Sequence, residues 1–360
     1  MTHIPVRPTS TLDRSATYRR IDRQNLGSFL RTFPDQCARA AADAAAFRLP
    51  SIGPFRSVVI AGMGGSGIGA DYLRTMLPAH LRMPVTTVHG YDLPPGVDRR
   101  TLVVLVSHSG NTEETVSCYR AARAVRARML VLTGGGTLAR LARRDRTPLF
   151  RYAFTAPPRM SLGYLFVPLV VFLTRLRVLA PAAGNLPTAI AVIRRLGSRL
   201  DPDVPTARNL AKQLARRLAG TVPVVYGSDI LAEVARRWKC QFNENAKTTS
   251  IADVLPELNH NTVEGIHHPA ALRRRFTYLL LRSSYEHPQN AKRFRILEGV
   301  LRRARLPLVR MRAAGVDSLT QKLWMTSFGD FVSYYLAMLQ GVDPTPVETI
   351  EGAKRQLARR

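Results

Sequence analysis

Cysteine is scarce in this chain, and long apolar runs are missing. The three cysteines among 360 residues, Cys37, Cys118 and Cys240, lie far apart and form no CxxC pair. That spacing argues against a disulfide framework and against a structural zinc site, so it favours a reducing compartment. The longest apolar run, residues 164–174, is too short to span a bilayer. The opening residues 1–10 lack the apolar segment of a secretory signal, so we expect a cytoplasmic protein without a membrane segment.

Negative charge is scarce as well, because 53 basic residues stand against 25 acidic ones and the formal net charge is +28. One interpretation is a polyanionic partner, since a basic surface attracts phosphate backbones. The other is a preference for arginine in the whole composition, because 47 of the 53 basic residues are Arg and they are spread over many segments. No basic tail or aromatic-rich basic patch stands out, so we expect nucleic acid not to be a partner. A positive field would still steer a dianionic ligand towards the protein.

Short apolar segments alternate with helical patterns along most of the chain. The first apolar segment, SVVIA, runs into a glycine turn and then into a helical pattern. Similar segments recur at PVTTVHG, TLVVLVSHSG, MLVLTGGG, TVPVVYGS, FTYLLLRSS and LPLVRMR. Strands that alternate with helices in this way indicate parallel sheets. The sequence therefore predicts an α/β protein with two parallel-sheet subdomains and flanking helices.

The same patterns predict how the chain is divided. We assign residues 1–50 to an N-terminal helical entry segment, with a helix from about Leu26 to Ala46. Residues 51–200 form the predicted first subdomain, and residues 201–360 form the second. Helical patterns dominate between about 160 and 215, and further helices are predicted at the positions 288–304 and 318–340.

The glycine-rich segment GMGGSG, residues 62–67, follows the first predicted strand. It could fit the GxGxxG pattern of dinucleotide-binding proteins, but that pattern alone is weak. The pattern also requires an acidic residue about twenty positions further on. Only Asp92 is available, some thirty residues after the first glycine, so we do not expect a nicotinamide cofactor.

A second loop, SHSGNTEET, places three hydroxyl groups around Gly110 at the end of another apolar strand. They belong to Ser107, Ser109 and Thr112, and the next helix is predicted to start near Asn111. Hydroxyl groups and free helix N–H groups together suit a compact dianion such as a phosphate group. The alternative is that they only cap the helix, whose acidic first turn complements its dipole. Both loops follow strands of one sheet, where α/β folds place their ligands.

Taken in order, these motifs resemble a known family. GMGGSG followed by SxSGNTEET resembles the sugar isomerase (SIS) domain, a flavodoxin-like fold that binds phosphosugars. Three later segments are similar to the bifunctional phosphoglucose/phosphomannose isomerases, namely KCQFNENAK (239–247), PELNHN (256–261) and FVSYYLAMLQGVDPTPVETIEGAK (331–354). The resemblance thus covers both halves of the chain. The chain departs from the usual pattern by GSG in place of the common GSA in the first loop, and by His108 where an aromatic residue is frequent.

The resemblance implies an isomerase that interconverts glucose 6-phosphate and mannose 6-phosphate with fructose 6-phosphate through an enediol. It implies that Glu244 is the base that moves a proton between C1 and C2. His260 would assist ring opening and would reach across the interface of a homodimer. Arg159 would stabilise the enediolate, and Lys354 would lie near the ring oxygen. The phosphate group would be held by Gly64, Gly65, Ser66, Ser107, Ser109 and Thr112.

The residues leave alternatives open. From local sequence alone, Glu244 could be a solvated carboxylate at a helix end. His260 could join His267 and His268 in a metal site, but their spacing is not a familiar ligand set, so we expect neither a metal nor another cofactor. The alternative function is a non-catalytic SIS protein that binds sugar phosphates as a regulator. No helix-turn-helix pattern precedes the first strand, which speaks against it.

Overall fold

Nine strands in two sheets organise the part of the chain that the computed structural model describes, residues 11–76 and 78–357. The strands are β1 Ser57–Ala61, β2 Val85–Val88, β3 Thr101–Ser107, β4 Arg128–Thr133, β5 Leu149–Arg151, β6 Val222–Ser228, β7 Ile251–Leu255, β8 Phe276–Arg282 and β9 Leu308–Arg312. The first sheet has the order β2-β1-β3-β4-β5, the second has the order β7-β6-β8-β9, and every pairing is parallel. This confirms the prediction of two parallel-sheet α/β units.

Helices cover both sheets. They are α1 Ser15–Ile21, α2 Leu26–Arg31, α3 Phe33–Ala46, α4 Gly64–Arg74, α5 Glu113–Ala124, α6 Gly136–Arg144, α7 Leu162–Arg175, α8 Leu186–Leu200, α9 Leu210–Leu218, α10 Ala232–Asn245, α11 Pro288–Arg303, α12 Ser318–Gln340 and α13 Glu348–Leu357. Within the described ranges, none of them is both long and apolar enough to cross a membrane. Even the most apolar, α7, has only 14 residues and contains Pro168.

The strand order explains where a ligand can enter. In the first sheet β2 and β3 lie on opposite sides of β1, and the order 2-1-3-4-5 is that of flavodoxin. The chain therefore turns in opposite directions after β1 and after β3, which opens a crevice at the carboxyl ends of these two strands. The second sheet repeats the order without a fifth strand.

The two units share one apolar core. All seven residues of β3 are buried, as expected for a central parallel strand with helices on both faces. The long helix α12 is buried along nearly its whole length, and it packs against α8, α9 and α10. Its side chains belong to the same apolar cluster as those of α3, α4 and α7, so α12 joins the second half of the chain to the first.

Several details differ from the sequence predictions. The helix predicted from about Leu26 to Ala46 is broken at Thr32, because Pro34 has no N–H group for the carbonyl of Leu30 and its ring clashes with that carbonyl. The short strand β5 and the half-exposed edge strand β7 were not predicted, because neither carries a long apolar run. The helices predicted at 288–304 and 318–340 are confirmed as α11 and α12. Residues 1–10 of the predicted entry segment lie outside the described residues.

Candidate active site

Two loops meet at the carboxyl edge of the first sheet. Loop 1 (residues 62–67) follows β1 and enters α4, and loop 2 (residues 107–112) follows β3 and leads to α5. The hydroxyl group of the buried Ser66 accepts a hydrogen bond from the backbone N–H of His108, at 3.1 Å. This hydrogen bond fixes the spacing of the two loops.

Hydroxyl groups and backbone groups order loop 2 from within. The Oγ atom of Ser107 lies 2.9 Å from Oγ1 of Thr112, and it accepts from the N–H of Gly110 at 3.0 Å. Ser109 is exposed, and its Oγ accepts from the N–H of Asn111. Thr112 stands at the N-cap position of α5, but its side chain makes no capping hydrogen bond. Capping therefore does not account for the Thr112 hydroxyl group.

Two helix N-termini face the space between the loops. The N–H groups of Gly64 and Gly65 in α4, and those of Glu113 and Glu114 in α5, have no acceptor within the described residues. Unpaired N–H groups at a helix start, together with the positive end of the helix dipole, favour an anion. The crevice thus offers hydroxyl groups and N–H groups of the kind that bind a phosphate group.

His108 links loop 2 to the segment that leads to Arg159. Its Nε2 lies 3.0 Å from the carbonyl oxygen of Ala156, and its Nδ1 lies 3.1 Å from the hydroxyl of Tyr152. Because a carbonyl can only accept, Nε2 carries the proton and Nδ1 accepts from the tyrosine. Burial lowers the pKa of His108, which agrees with a neutral ring. The ring stacks on Tyr152 with a centroid distance of 5.9 Å, so it takes over the packing of an aromatic residue.

The backbone of Arg159 lies directly against loop 1. A Cβ atom on Gly65 would lie only 2.8 Å from the carbonyl of Pro158 and 2.9 Å from the backbone nitrogen of Arg159. Any residue other than glycine would therefore push the two segments apart. Loop 1 and Arg159, which the sequence separates by almost a hundred positions, form one wall of the crevice.

The side chain of Arg159 is only 4% exposed, and most of its donors are occupied. Nε donates to Oδ1 of Asn245 at 2.7 Å, and Nη2 donates to the carbonyls of Pro344 and Thr345 at 2.7 and 2.9 Å. Nη1 points to Glu244, whose Oε2 is 3.6 Å away. Burial lowers the pKa of Arg159, while the charge of the Glu244 carboxylate opposes that shift.

Glu244 lies in the last turn of α10, as the sequence predicted, and its side chain is 30% exposed. Two residues next to it, which the sequence did not single out, hold the groups around it. Asn245 is fully buried and bridges Nε of Arg159 and Oγ of Ser333. Lys247 donates to the carbonyls of Glu244 and Pro346, and burial lowers its pKa. Asn245 and Lys247 both belong to the KCQFNENAK motif, which is the signal that could have found them.

A buried ion pair supports the backbone of Arg159. Arg237 of α10 donates through Nη2 to the Arg159 carbonyl at 2.9 Å, and it pairs with Asp330 of α12 at 2.8 Å. Gln241 donates to the second oxygen of Asp330 at 2.8 Å. Because each charge has a partner and further hydrogen bonds, the pair holds α10, α12 and the Arg159 segment in one arrangement.

The structure does not bring His260 or Lys354 into contact with these groups. His260 is exposed at the end of a 3-10 helix, Glu257–His260, and it makes no hydrogen bond or ion pair within the described residues. Lys354 is exposed on α13 and likewise has no partner in the described part of the chain. A different residue of α13, Glu351, acts electrostatically on Arg159.

The corresponding edge of the second sheet is occupied by the protein's own carboxylates. After β8, Glu286 accepts from the N–H of Ser283 at 2.7 Å and pairs with Arg282 at 2.8 Å. After β6, Asp229 accepts from the side-chain amide of Asn290. Carboxylates of the protein thus occupy the edge of the second sheet that corresponds to the open crevice of the first sheet. Among residues 11–76 and 78–357, no group of three or more His, Cys, Asp or Glu side chains could hold a metal ion.

Comparisons with known families agree with this arrangement of two units. Residues 53–149 match the family described as "SIS domain", and residues 207–357 match "Bacterial phospho-glucose isomerase C-terminal SIS domain". The first match contains both loops, and the second contains Glu244 and His260.

Individual proteins are similar over most of the chain. A "Bifunctional phosphoglucose/phosphomannose isomerase" of Caldicellulosiruptor bescii is 36% identical over 84% of this chain and 89% of its own length. A protein of the same name from Aquifex aeolicus is 33% identical over 85% of this chain and 92% of its own length. A "glucose-6-phosphate isomerase like protein" from Thermus thermophilus superposes with a TM-score of 0.64 at 20% identity, covering 96% of this chain and 99% of that one, which supports the fold.

Proposed function

The chain belongs to the bifunctional phosphoglucose/phosphomannose isomerase family, and from that premise we propose that Glu244 and Arg159 carry out its reaction. The enzyme interconverts glucose 6-phosphate and mannose 6-phosphate with fructose 6-phosphate. The observation that carries the proposal is the 3.6 Å approach of Glu244 Oε2 to Arg159 Nη1, beside a crevice lined by two phosphate-binding loops. A non-catalytic regulator is not favoured, because the relatives named as isomerases match both halves of the chain.

In the proposed mechanism, Glu244 is the base. Its carboxylate takes the proton from C2 of the open-chain aldose, the electron pair forms the C1–C2 double bond, and O1 takes a proton from solvent water. The enediol then gives the proton on O2 back to water, and Glu244 returns its proton to C1, which yields the ketose. Arg159 offers Nη1 to the negative charge that develops on the enediol oxygens. Because C2 is planar in the intermediate, the return of the proton to either face of C2 would give the glucose or the mannose phosphate.

Loops 1 and 2 hold the phosphate group in this proposal, through Gly64, Gly65, Ser66, Ser107, Ser109 and Thr112. The phosphate is remote from C1 and C2, so its binding energy would position the reacting carbons over Glu244. The N–H groups at the starts of α4 and α5, which have no acceptor in the described part of the chain, support this assignment. No metal ion is needed, because the charge on the enediol is met by Arg159.

We further propose that the enzyme is a homodimer in the cytoplasm. His260 would enter the site of the partner subunit and assist ring opening, and its exposure without any bond in the described part of its own chain supports this. Lys354 would lie near the ring oxygen, because it belongs to the C-terminal segment 331–354 that resembles the family.

Enzyme assays with each aldose phosphate test the function directly. The purified protein should form fructose 6-phosphate from glucose 6-phosphate and from mannose 6-phosphate, and dialysis against EDTA should leave both rates unchanged. Absence of turnover with both substrates would overturn the isomerase assignment. Loss of turnover after EDTA treatment, restored by a divalent metal, would overturn the metal-independent mechanism.

A further inference from the structure

His89, which follows β2, holds loop 1 at its first residue. Nδ1 of its ring lies 2.7 Å from the carbonyl oxygen of Gly62, while the N–H of Gly62 donates to the carbonyl of Val88 at 3.1 Å. Nε2 of the same ring lies 2.8 Å from Oδ1 of Asp71, a carboxylate of α4 that is only 1% exposed. The N–H group and the carbonyl group of Gly62, at the start of loop 1, are thus hydrogen-bonded to residues 88 and 89.

The chemistry of the two partners determines the protonation of the ring. A carbonyl oxygen can only accept a hydrogen bond, and an ionised carboxylate can only accept as well. Asp71 is ionised, because its second oxygen lies 3.1 Å from Nη2 of Arg236. A neutral imidazole has a single N–H and could serve only one of its two partners. Both contacts are satisfied only when His89 is an imidazolium, with a proton on each nitrogen.

We propose that His89 is a positioning residue of the isomerase: as an imidazolium between Asp71 and the carbonyl of Gly62, it fixes loop 1 at its first residue. The proposal rests on the assignment of loop 1 to phosphate binding. His89 has no assigned contact with the reacting carbons, so its effect reaches the substrate through the geometry of loop 1.

The same ring and the backbone of loop 1 fill the space next to Gly67. A Cβ atom on Gly67 would lie 2.6 Å from Cε1 and 2.7 Å from Nδ1 of His89, and 2.5 Å from the Gly62 carbonyl oxygen. The imidazole therefore occupies the space that an alanine side chain would need. Gly67 and His89 form a matched pair, in which the smaller residue in the loop makes room for the cation.

The charges around His89 set the direction of its pH dependence. Asp71 from α4 faces the ring directly, Arg236 from α10 lies behind Asp71, and Glu233 pairs with Arg236. The hydrogen bond to Asp71 raises the pKa of His89 above its ordinary value of 6.5, although burial opposes this. The imidazolium and its bond to Gly62 are therefore complete below that ordinary value, and they are lost as the pH rises through the raised pKa.

Steady-state kinetics across pH test the proposal, with variants at the two histidines that flank β2. His89→Gln removes the cation. His80→Gln is the matched control, because His80 precedes β2 and so lies towards the amino edge of the sheet, opposite to the edge with loop 1. We expect the KM of the wild type for glucose 6-phosphate to rise at alkaline pH. The phosphate group itself has its second pKa at about 6, so it is already dianionic there.

In the His89→Gln variant we expect the KM at neutral pH to rise about tenfold, as for the loss of a charged hydrogen bond, while kcat changes far less. Its KM should no longer rise at alkaline pH, whereas His80→Gln should keep the wild-type profile. A His89→Gln enzyme with the wild-type KM and the wild-type pH profile would overturn the proposal. A wild-type protein without turnover would instead overturn the isomerase function itself, so the two failures are distinguishable.

Nitrogen NMR of the wild type gives a second measurement that needs neither a variant nor activity. The signals of the two ring nitrogens of His89 can be assigned through the backbone of the neighbouring Val88. Both nitrogens should carry protons at neutral pH, and the ring should titrate above the ordinary histidine range. A neutral ring of a single tautomer at neutral pH would contradict the imidazolium. This result also decides the case in which the His89→Gln variant does not fold.

Discussion

Nη1 of Arg159 lies beside Glu244 and has no hydrogen-bond acceptor in the described part of the chain. A guanidinium has five N–H donors, and three of those in Arg159 are spent on Asn245, Pro344 and Thr345. The remaining two are on Nη1, which lies 3.6 Å from Glu244 Oε2. The carboxylate and the guanidinium therefore lie side by side. Within the described residues, only the guanidinium is held by hydrogen bonds, which its other two nitrogens make. Such preorganised charge is the usual way in which enzymes stabilise an oxyanion.

Glu244→Gln should abolish isomerisation and leave the binding of the sugar phosphate nearly unchanged. The amide keeps the shape of the side chain but cannot take the proton from C2, so we expect kcat to fall by about 10²–10⁴-fold. Binding of fructose 6-phosphate, measured by calorimetry, should stay within a few-fold of the wild type. Glu264→Gln, at an exposed glutamate without an ion pair in the described part of the chain, is the control. Loss of binding in Glu244→Gln would mean that this carboxylate is structural.

Asn245→Ala should impair the reaction through Arg159. The variant leaves Nε of Arg159 without its acceptor, so the guanidinium loses one of the bonds that aim Nη1. We expect kcat to fall about tenfold with little change in KM, because the phosphate loops are untouched. Asn243→Ala, two positions earlier in α10 and bonded to Ser250 rather than to Arg159, is the comparison. Equal losses in both variants, or a rise in KM alone, would contradict the positioning role of Asn245.

Much of this site could be predicted from the residues. Hydroxyl groups and glycines after two apolar strands indicate a phosphate crevice, because parallel sheets bring the ends of their strands to one edge. The position of Glu244 near a helix end also follows from the local pattern. The resemblance then adds the roles, since a lone glutamate is most often a solvated side chain.

Other parts could not be predicted, because they depend on contacts between distant segments. Asn245 meets Arg159 across 86 positions, and Arg237 meets Asp330 across 93. In a chain with so many arginines, nothing local distinguishes the two buried ones from those on the surface. His89 lies near the end of an ordinary strand pattern, PVTTVHG. Its role becomes visible only in the structure, where Asp71 and Gly62 contact the two nitrogens of its ring.

Mixing two inactive variants should restore activity if His260 acts in the partner subunit. Glu244→Gln lacks the base, and His260→Ala lacks the ring-opening group, so each homodimer is impaired at both sites. Random exchange of equal amounts makes about half of the dimers mixed, and each of these has one intact site and one doubly impaired site. We therefore expect about a quarter of the wild-type rate. No recovery, with mixed dimers demonstrated by a tag on one variant, would mean that His260 acts within its own subunit.

Gly67→Ala should cost much more in the wild type than in a His89→Ala background. In the wild type the new methyl group meets both the imidazole and the Gly62 carbonyl, and neither can move because each holds the other. Removal of the ring empties one part of that space and releases the carbonyl to rotate away. The second substitution should therefore offset part of the damage caused by the first.

The four proteins of this cycle are compared by their free energies of unfolding in urea and by their KM values. For residues in direct contact we expect a coupling of about 0.5–3 kcal/mol, with the double variant more stable than the sum of the two single losses implies. KM should follow the same order, since the methyl group displaces loop 1, to which we assign the binding of the phosphate group. Additive losses in both measurements would mean that Gly67 and His89 are not coupled. The Gly62 carbonyl alone would then require glycine at position 67. A coupled result would make the contact with His89 one reason why this enzyme carries glycine at position 67.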